Sequence, residues 1–316
     1  MELTFDQIVE ITRGAVEVRR DRNAIVFHKC TDKQTAVWYE FRRELGDRSL
    51  TTTGIRLDFH TDSRSFSFEA VRGKKFDVLI DGVLAHHIHR DCPMTFSCDL
   101  PEGDTRVTVI FPSHHIGQLA SVSIDDGAYI KPHEYSRKIL FIGDSISQGW
   151  DAKLDSLSFA WRTALHYNAD CVMNAIGGAI FLPEANDSIP FEPDTVIVSL
   201  GTNDMAARKS IDELGSNADG VFSFLAKEYP DARLVAITPI WRADEDKPRK
   251  TGTLEDIRRR IAEIASGYGF EIIEGSPLVP HVPELFADGY LHPNDIGYEY
   301  YANALIAALD AAEERK

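Results

Sequence analysis

The hydrophobic period changes once along this chain of 316 residues, near Arg137, and that change restricts the architecture to two unlike parts. Before it lie short β-rich runs at 25–28, 36–41 and 54–59, and stretches of strict period-two alternation at 65–71 and 105–111. Turn signals separate them: Arg72-Gly73-Lys74, Asp81-Gly82 and Pro101-Glu102-Gly103-Asp104. Many short strands with polar turns predict an antiparallel, jelly-roll-like β-sandwich. After Arg137, apolar strands at 138–142, 171–174, 194–200, 233–238 and 270–273 alternate with helical stretches at 158–167, 219–228 and 254–266, and a helix at 296–309 closes the chain. That alternation predicts a parallel central sheet with helices on both faces, a three-layer α/β/α domain. Lys131-Pro132-His133-Glu134 interrupts the strand pattern, so the expected division is 1–133 for an accessory sandwich and 134–316 for the α/β domain.

Hydrophobic residues make up 43% of the chain, enough for a substantial core. A formal charge of -16 argues against nucleic acid as a partner, because phosphates need a basic surface. No run approaches the roughly 20 apolar residues of a membrane span. The first residues, Met1-Glu2-Leu3-Thr4-Phe5-Asp6, lack a basic region before an apolar run. Cys30, Cys92, Cys98 and Cys171 are too few for a disulfide framework in a chain of this length, and reduced thiols are expected. The expectation is a cytoplasmic protein without membrane association; self-association is left open.

Three segments carry the chemistry. Gly143-Asp144-Ser145 follows an apolar strand, and reacting atoms in such sheets gather beyond the carboxyl ends of strands. Ser145 is the candidate nucleophile; the alternative is a serine that merely caps the next helix. Asp288-Gly289-Tyr290-Leu291-His292 supplies an imidazole to take the serine proton and a carboxylate to hold the ring in its useful tautomer. Acyl transfer also needs donors for a developing oxyanion, each worth about 3 kcal/mol. Ser145 N–H, the Gly178 N–H (Gly177 is nearly equivalent) and the Asn203 side chain are the candidates. Trp150, and Trp241 with Arg242 at another strand end, are candidate substrate contacts, since aromatic faces suit sugar rings. His86, His87 and His89 cluster in the strand-rich half, but further metal ligands beside them are not identifiable, and solvated or satisfied histidines are expected. His114, His115 and His281 are placed near the junction or the rim of the site.

Taken together, these segments resemble the SGNH/GDSL hydrolase family from Arg137 to about Leu309. Gly143-Asp144-Ser145 matches its first block, Gly178 or Gly177 its second, Asn203 in Gly201-Thr202-Asn203-Asp204 its third, and His292 its fifth. The resemblance implies ester hydrolysis without a metal or other cofactor. One spacing departs: the family places its aspartate three residues before the histidine, whereas Asp288 is four before His292. Either a one-residue bulge absorbs the difference or a backbone carbonyl orients the ring. A sandwich ahead of such a domain is similar to carbohydrate esterase family 2. That similarity implies a small acetylated carbohydrate as substrate, such as acetylated xylo- or other plant-derived oligosaccharides. The competing readings are a lipase or thioesterase on the same scaffold, and a carbohydrate-binding protein without catalysis.

Overall fold

A computed structural model describes residues 1–313. Helix α1 (Phe5–Ile11) leads to strands β1 (Thr12–Arg13), β2 (Glu17–Asp21) and β3 (Ala24–His28), then to helices α2 (Asp32–Phe41) and α3 (Arg43–Ser49). Strands β4 (Arg56–Thr61), β5 (Ser65–Arg72), β6 (Lys75–Ile80), β7 (Val83–His89), β8 (Met94–Asp99), β9 (Thr105–Ile110) and β10 (Gln118–Ile124) follow. They form two antiparallel sheets, ordered β1-β4-β9-β6-β7 and β2-β3-β10-β5-β8. Inward residues from both sheets share one core: Phe59, Val107 and Val109 from the first, Phe66, Phe68, Leu119 and Val122 from the second. Phe68 and Phe76 meet across it with ring centroids 5.4 Å apart.

One run departs from its expected state. Residues 36–41 are not a strand; they lie in α2. Thr31 and Gln34 cap that helix reciprocally, and Gln34 and Trp38, four residues apart, face inward together. An apolar run this short is compatible with either period, and the cap decides for the helix. Lys131–Pro132, read as an interruption, forms a two-residue strand β11 that pairs with β4. All four cysteines are free thiols.

The second half contains β12 (Arg137–Gly143), α4 (Ser145–Gln148), α5 (Phe159–His166), β13 (Ala169–Ala175), β14 (Thr195–Ser199), α6 (Asp204–Ala207) and α7 (Ile211–Glu228). It ends with β15 (Arg233–Ile237), α8 (Leu254–Gly267), β16 (Glu271–Ile273) and α9 (Asp295–Glu313). Helix α7 starts earlier than the apolar pattern predicts, because Ser210 caps it by accepting the Glu213 N–H. The five strands are parallel in the order β13-β12-β14-β15-β16. Alternate residues feed two cores. Ile139, Phe141, Cys171 and Ile197 face α5 and α9, where Phe159 stacks on Tyr301 at 4.0 Å. Leu140, Val172, Val196 and Val198 face α7 and α8. Strand order reverses at β12, so the crevice beyond its carboxyl end is a topological switch point. Among the described residues, no helix is long and apolar enough to cross a membrane.

The halves interlock. Trp38 of α2 and Leu45 of α3 belong to the same apolar cluster as Ile176 and Phe181. Arg56 of β4, 1% exposed, donates to Asp170 at 3.0 Å and to the Tyr135 hydroxyl at 2.9 Å, and lies over the Trp161 ring. Tyr135 in turn donates to Asp58, on which Arg106 forks at 2.9 and 2.8 Å. Burial pushes the Asp58 carboxyl up, but the Arg106 bonds and the Arg56 charge outweigh it and hold the group below its ordinary value.

Arg56→Met is expected to lower the thermal midpoint at pH 7, since removing one member of a buried ionic group costs about 3–5 kcal/mol. A depressed carboxyl contributes stability above its unfolded value, here 3.8, and loses it as pH falls through the folded value. The gap between variant and wild type is therefore expected to narrow below that pH. A gap that stays constant on acidification would assign the loss to packing alone.

Candidate active site

Strand β12 ends at Gly143, where a Cβ would lie 2.1 Å from Ser147 Oγ and 3.1 Å from the Ser199 carbonyl. Only glycine permits that close approach. Asp144 then caps α4 by accepting the Ile146 N–H at 2.9 Å, which puts Ser145 at the start of the helix. The cap is Asp144 and not Ser145, so the reading of Ser145 as a mere helix cap is corrected. Burial pushes the Asp144 carboxyl up to about 7.

Ser145 Oγ lies 3.0 Å from His292 Nε2, across 147 residues of sequence. His292 Nδ1 lies 2.8 Å from Asp288 Oδ2. A carboxylate at Nδ1 requires the proton there, which leaves Nε2 to accept from the serine hydroxyl. The four-residue spacing has a local cause. Asp288 Oδ1 accepts the backbone N–H groups of Tyr290, Leu291 and His292 at 2.9, 2.7 and 3.1 Å, so the chain wraps around the carboxylate before reaching the histidine. The carboxylate, and not a backbone carbonyl, meets the ring in this structure. Burial raises the Asp288 pKa, but the Leu291 and Tyr290 N–H bonds and the His292 contact prevail and keep it below the ordinary value. The loop is tied down at its end by Asn294, which accepts the Ile296 and Gly297 N–H groups at the start of α9.

The loop after β13 approaches the same crevice. Gly177 N–H donates to Gln148 Oε1 at 2.8 Å and is therefore occupied. Among the described residues, neither Gly178 N–H nor Ser145 N–H has a protein acceptor. Gly178 has φ +87, a region that side chains disfavour. Asn203 Nδ2 reaches this loop too, donating to the Ala179 carbonyl at 3.0 Å and to Asp144 at 3.3 Å. Trp150 sits beside the imidazole, with centroids 6.2 Å apart, and meets the His114 ring near-perpendicularly at 4.8 Å.

One expected substrate contact, Arg242, is corrected. Arg242 is 8% exposed, and its guanidinium is taken up by Asp244 at 2.6 Å, the Thr202 carbonyl at 3.1 Å and the Tyr290 hydroxyl at 2.7 Å. It braces the loop that carries His292 and has no face left for a ligand. Trp241 is half-buried; it stacks on His281 and packs on Phe286 at 4.8 Å beside that loop. In the strand-rich half, His87 is bonded to Asp77 at 2.7 Å, and His86 and His89 are exposed.

Four residues near the crevice escaped the sequence reading. Asp151 places Oδ2 3.8 Å from His292 Nδ1, a second carboxylate behind the ring. Asp151, Asp288 and His292 offer ligand atoms within 4.8 Å of one another, although the imidazole already has partners on both nitrogens. Lys29, fully buried and pushed down to about 8 by desolvation, donates to the Ala175 carbonyl at 2.7 Å. Arg48 donates to the Gly177 carbonyl at 2.7 Å. Gln148, noted above, also donates to the Ser113 carbonyl at 2.6 Å. Lys29 and Arg48 come from the first half, and no local pattern marks residues whose partners lie more than 100 positions away.

Comparison with curated proteins by sequence finds no match. Several solved structures share the fold. A salicylyl-acyltransferase, SsfX3, from a tetracycline biosynthetic pathway is 20% identical, with 95% of this chain and 94% of that chain covered and a TM-score of 0.82. A putative GDSL-like lipase from Bacteroides ovatus is 17% identical over 99% and 98% of the two chains, with a TM-score of 0.75. A family two carbohydrate esterase from Clostridium thermocellum, solved with cellohexaose, is 18% identical over 84% and 94%, with a TM-score of 0.64. The last has the same two-domain arrangement of antiparallel sheets followed by a parallel sheet with helices. The GDSL-like lipase/acylhydrolase family matches residues 141–300, a span that contains the turn at Ser145, Gly178, Asn203 and His292, and this chain belongs to that family.

Proposed function

We propose that this protein is a serine carboxylic-ester hydrolase that removes O-acetyl groups from carbohydrates, with acetylated xylo- or other plant-derived oligosaccharides as the substrate class. The reading rests above all on the contact chain Ser145 Oγ, His292, Asp288, at 3.0 and 2.8 Å, beside two N–H groups without protein acceptors. Family membership and the esterases among the structural neighbours support ester hydrolysis. The carbohydrate follows by analogy with the family two esterases of the same arrangement. On this reading residues 134–316 form the catalytic domain and residues 1–133 the accessory sandwich.

His292 takes the hydroxyl proton as Ser145 Oγ attacks the acetyl carbonyl. Asp288 keeps the ring in the Nδ1–H tautomer and offsets the charge of the imidazolium. The oxyanion is held by the N–H groups of Ser145 and Gly178 and by Asn203, whose longer bond to Asp144 is exchanged for it. Each such donor lowers the barrier by about 3 kcal/mol. The imidazolium protonates the departing sugar oxygen. Water, deprotonated by the same ring, then cleaves the acetyl-serine and releases acetate.

Ser145→Ala is expected to fold normally and to lose acetate release by more than about 10³-fold, measured on defined acetylated oligosaccharides. Wild-type turnover by that variant would overturn the assignment. Acyl-chain length separates this reading from a lipase-like one: rates on matched esters are expected to fall from acetyl to longer acyl groups, and a rise with length would favour the lipase. Adding a free alcohol to the assay distinguishes hydrolysis from acyl transfer, because transfer yields a new ester in place of acetate. Asp288→Asn preserves an oxygen for the three backbone N–H groups but removes the charge facing Nδ1. Its kcat is expected to fall by about 10²- to 10⁴-fold. An unchanged kcat would make Asp151 or solvent a sufficient partner for the ring.

A further inference from the structure

Arg48 has more donors than the fold uses. Its guanidinium is half-buried in α3 and spends one N–H on the Gly177 carbonyl at 2.7 Å. It lies over the Trp150 ring, 5.3 Å from the centroid, and 3.1 Å from where a Gly178 side chain would begin. Among the described residues, no carboxylate comes within ion-pairing distance of it. A chain with 50 acidic and 34 basic residues thus keeps one arginine unpaired at the loop beside the candidate nucleophile. The carboxylates of Asp288 and Asp151 face His292. A guanidinium offers a planar fork of five N–H donors, and a carboxylate is the partner that matches two of them at once. The Trp150 face favours a cation at that position.

We propose that Arg48 binds a carboxylate on the substrate, so that the preferred ester is anionic. The inference rests on the ester-hydrolase reading above; an acid on the alcohol side narrows the acetylated-carbohydrate class, whereas an acid on the acyl side replaces the acetyl group of that reading. Two sources supply that chemistry: an acid on the alcohol side, as in an acetylated uronic acid, or an acid on the acyl side, as in the monoester of a dicarboxylic acid. The sandwich half then contributes a specificity residue to the site, in addition to supporting it.

The test measures kcat/KM on matched pairs. For the alcohol side the pair is an acetylated glucuronoside and its neutral methyl ester; for the acyl side it is mono-4-nitrophenyl glutarate and 4-nitrophenyl pentanoate. Wild type is expected to favour the anionic member by about 10-fold or more in one arm, the range of a hydrogen bond to a charged group. Arg48→Met is expected to cut that preference at least tenfold, and Arg48→Lys to keep part of it. A purely structural Arg48 would lower both members of each pair equally and leave their ratio unchanged. That result, or the absence of any anionic preference in wild type in both arms, overturns the proposal. Binding is read separately in the Ser145→Ala background, by the thermal shift that methyl glucuronoside and glutarate produce. A shift lost on adding Arg48→Met supports carboxylate binding even if no ester is turned over, the outcome that would sink the hydrolase reading alone. No shift with either acid counts against Arg48.

Discussion

The bare backbone at Gly143 is the constraint on which the site depends. With Ser147 Oγ and the Ser199 carbonyl pressed against it, the chain leaves β12 without room for a side chain and turns at once into α4. That turn occurs where strand order reverses, the place in a parallel sheet where loops from both sides open onto one crevice. Ser145 is delivered there by the sheet, and His292 by a loop wound around Asp288 and pinned to α9. Arg242 stiffens that loop through Tyr290. The geometry therefore comes from rigid elements and short tethers, which is how reacting groups are held within contact range before a substrate arrives.

The two halves are not beads on a string. Arg56 joins β4 to β13 through a buried ionic and aromatic group, while Lys29 and Arg48 grip the carbonyls of Ala175 and Gly177. An unpaired ammonium such as Lys29 is costly to bury, as its lowered pKa reflects. It recovers part of that cost through Thr51, Thr53 and the Ala175 carbonyl. The loop that carries Gly178 is thus supported from outside the parallel-sheet half. Gly177 is held through both its N–H and its carbonyl, and the Arg48 bond to that carbonyl sends the Gly178 N–H of the same peptide plane the opposite way.

Legibility in the sequence followed the range of the interaction. The sandwich and the parallel sheet were readable because period two and alternating strand and helix are local signals. Residues 36–41 were misread because an apolar run of that length fits either period, and the deciding signal, the Thr31 and Gln34 cap, lies just before it. The convergence of Ser145, Asp288 and His292 was readable from residue type and position at strand and helix ends. How four residues fit between Asp288 and His292 was not, because the answer is a carboxylate that gathers three backbone N–H groups. Arg242 looked free in sequence, yet Asp244, Thr202 and Tyr290 occupy it. Arg48 carried no signal at all, since its place is defined only when α3 packs on the loop after β13.

In the proposed mechanism, Ser145 is the group that His292 activates. Treating the folded protein with a serine-reactive phosphonate and locating the adduct by peptide mass spectrometry tests this directly. One phosphonyl group on Ser145, formed quickly in wild type and slowly in His292→Ala, is the expected result. A modification on another residue, or a Ser145 that reacts equally well without the imidazole, would contradict it.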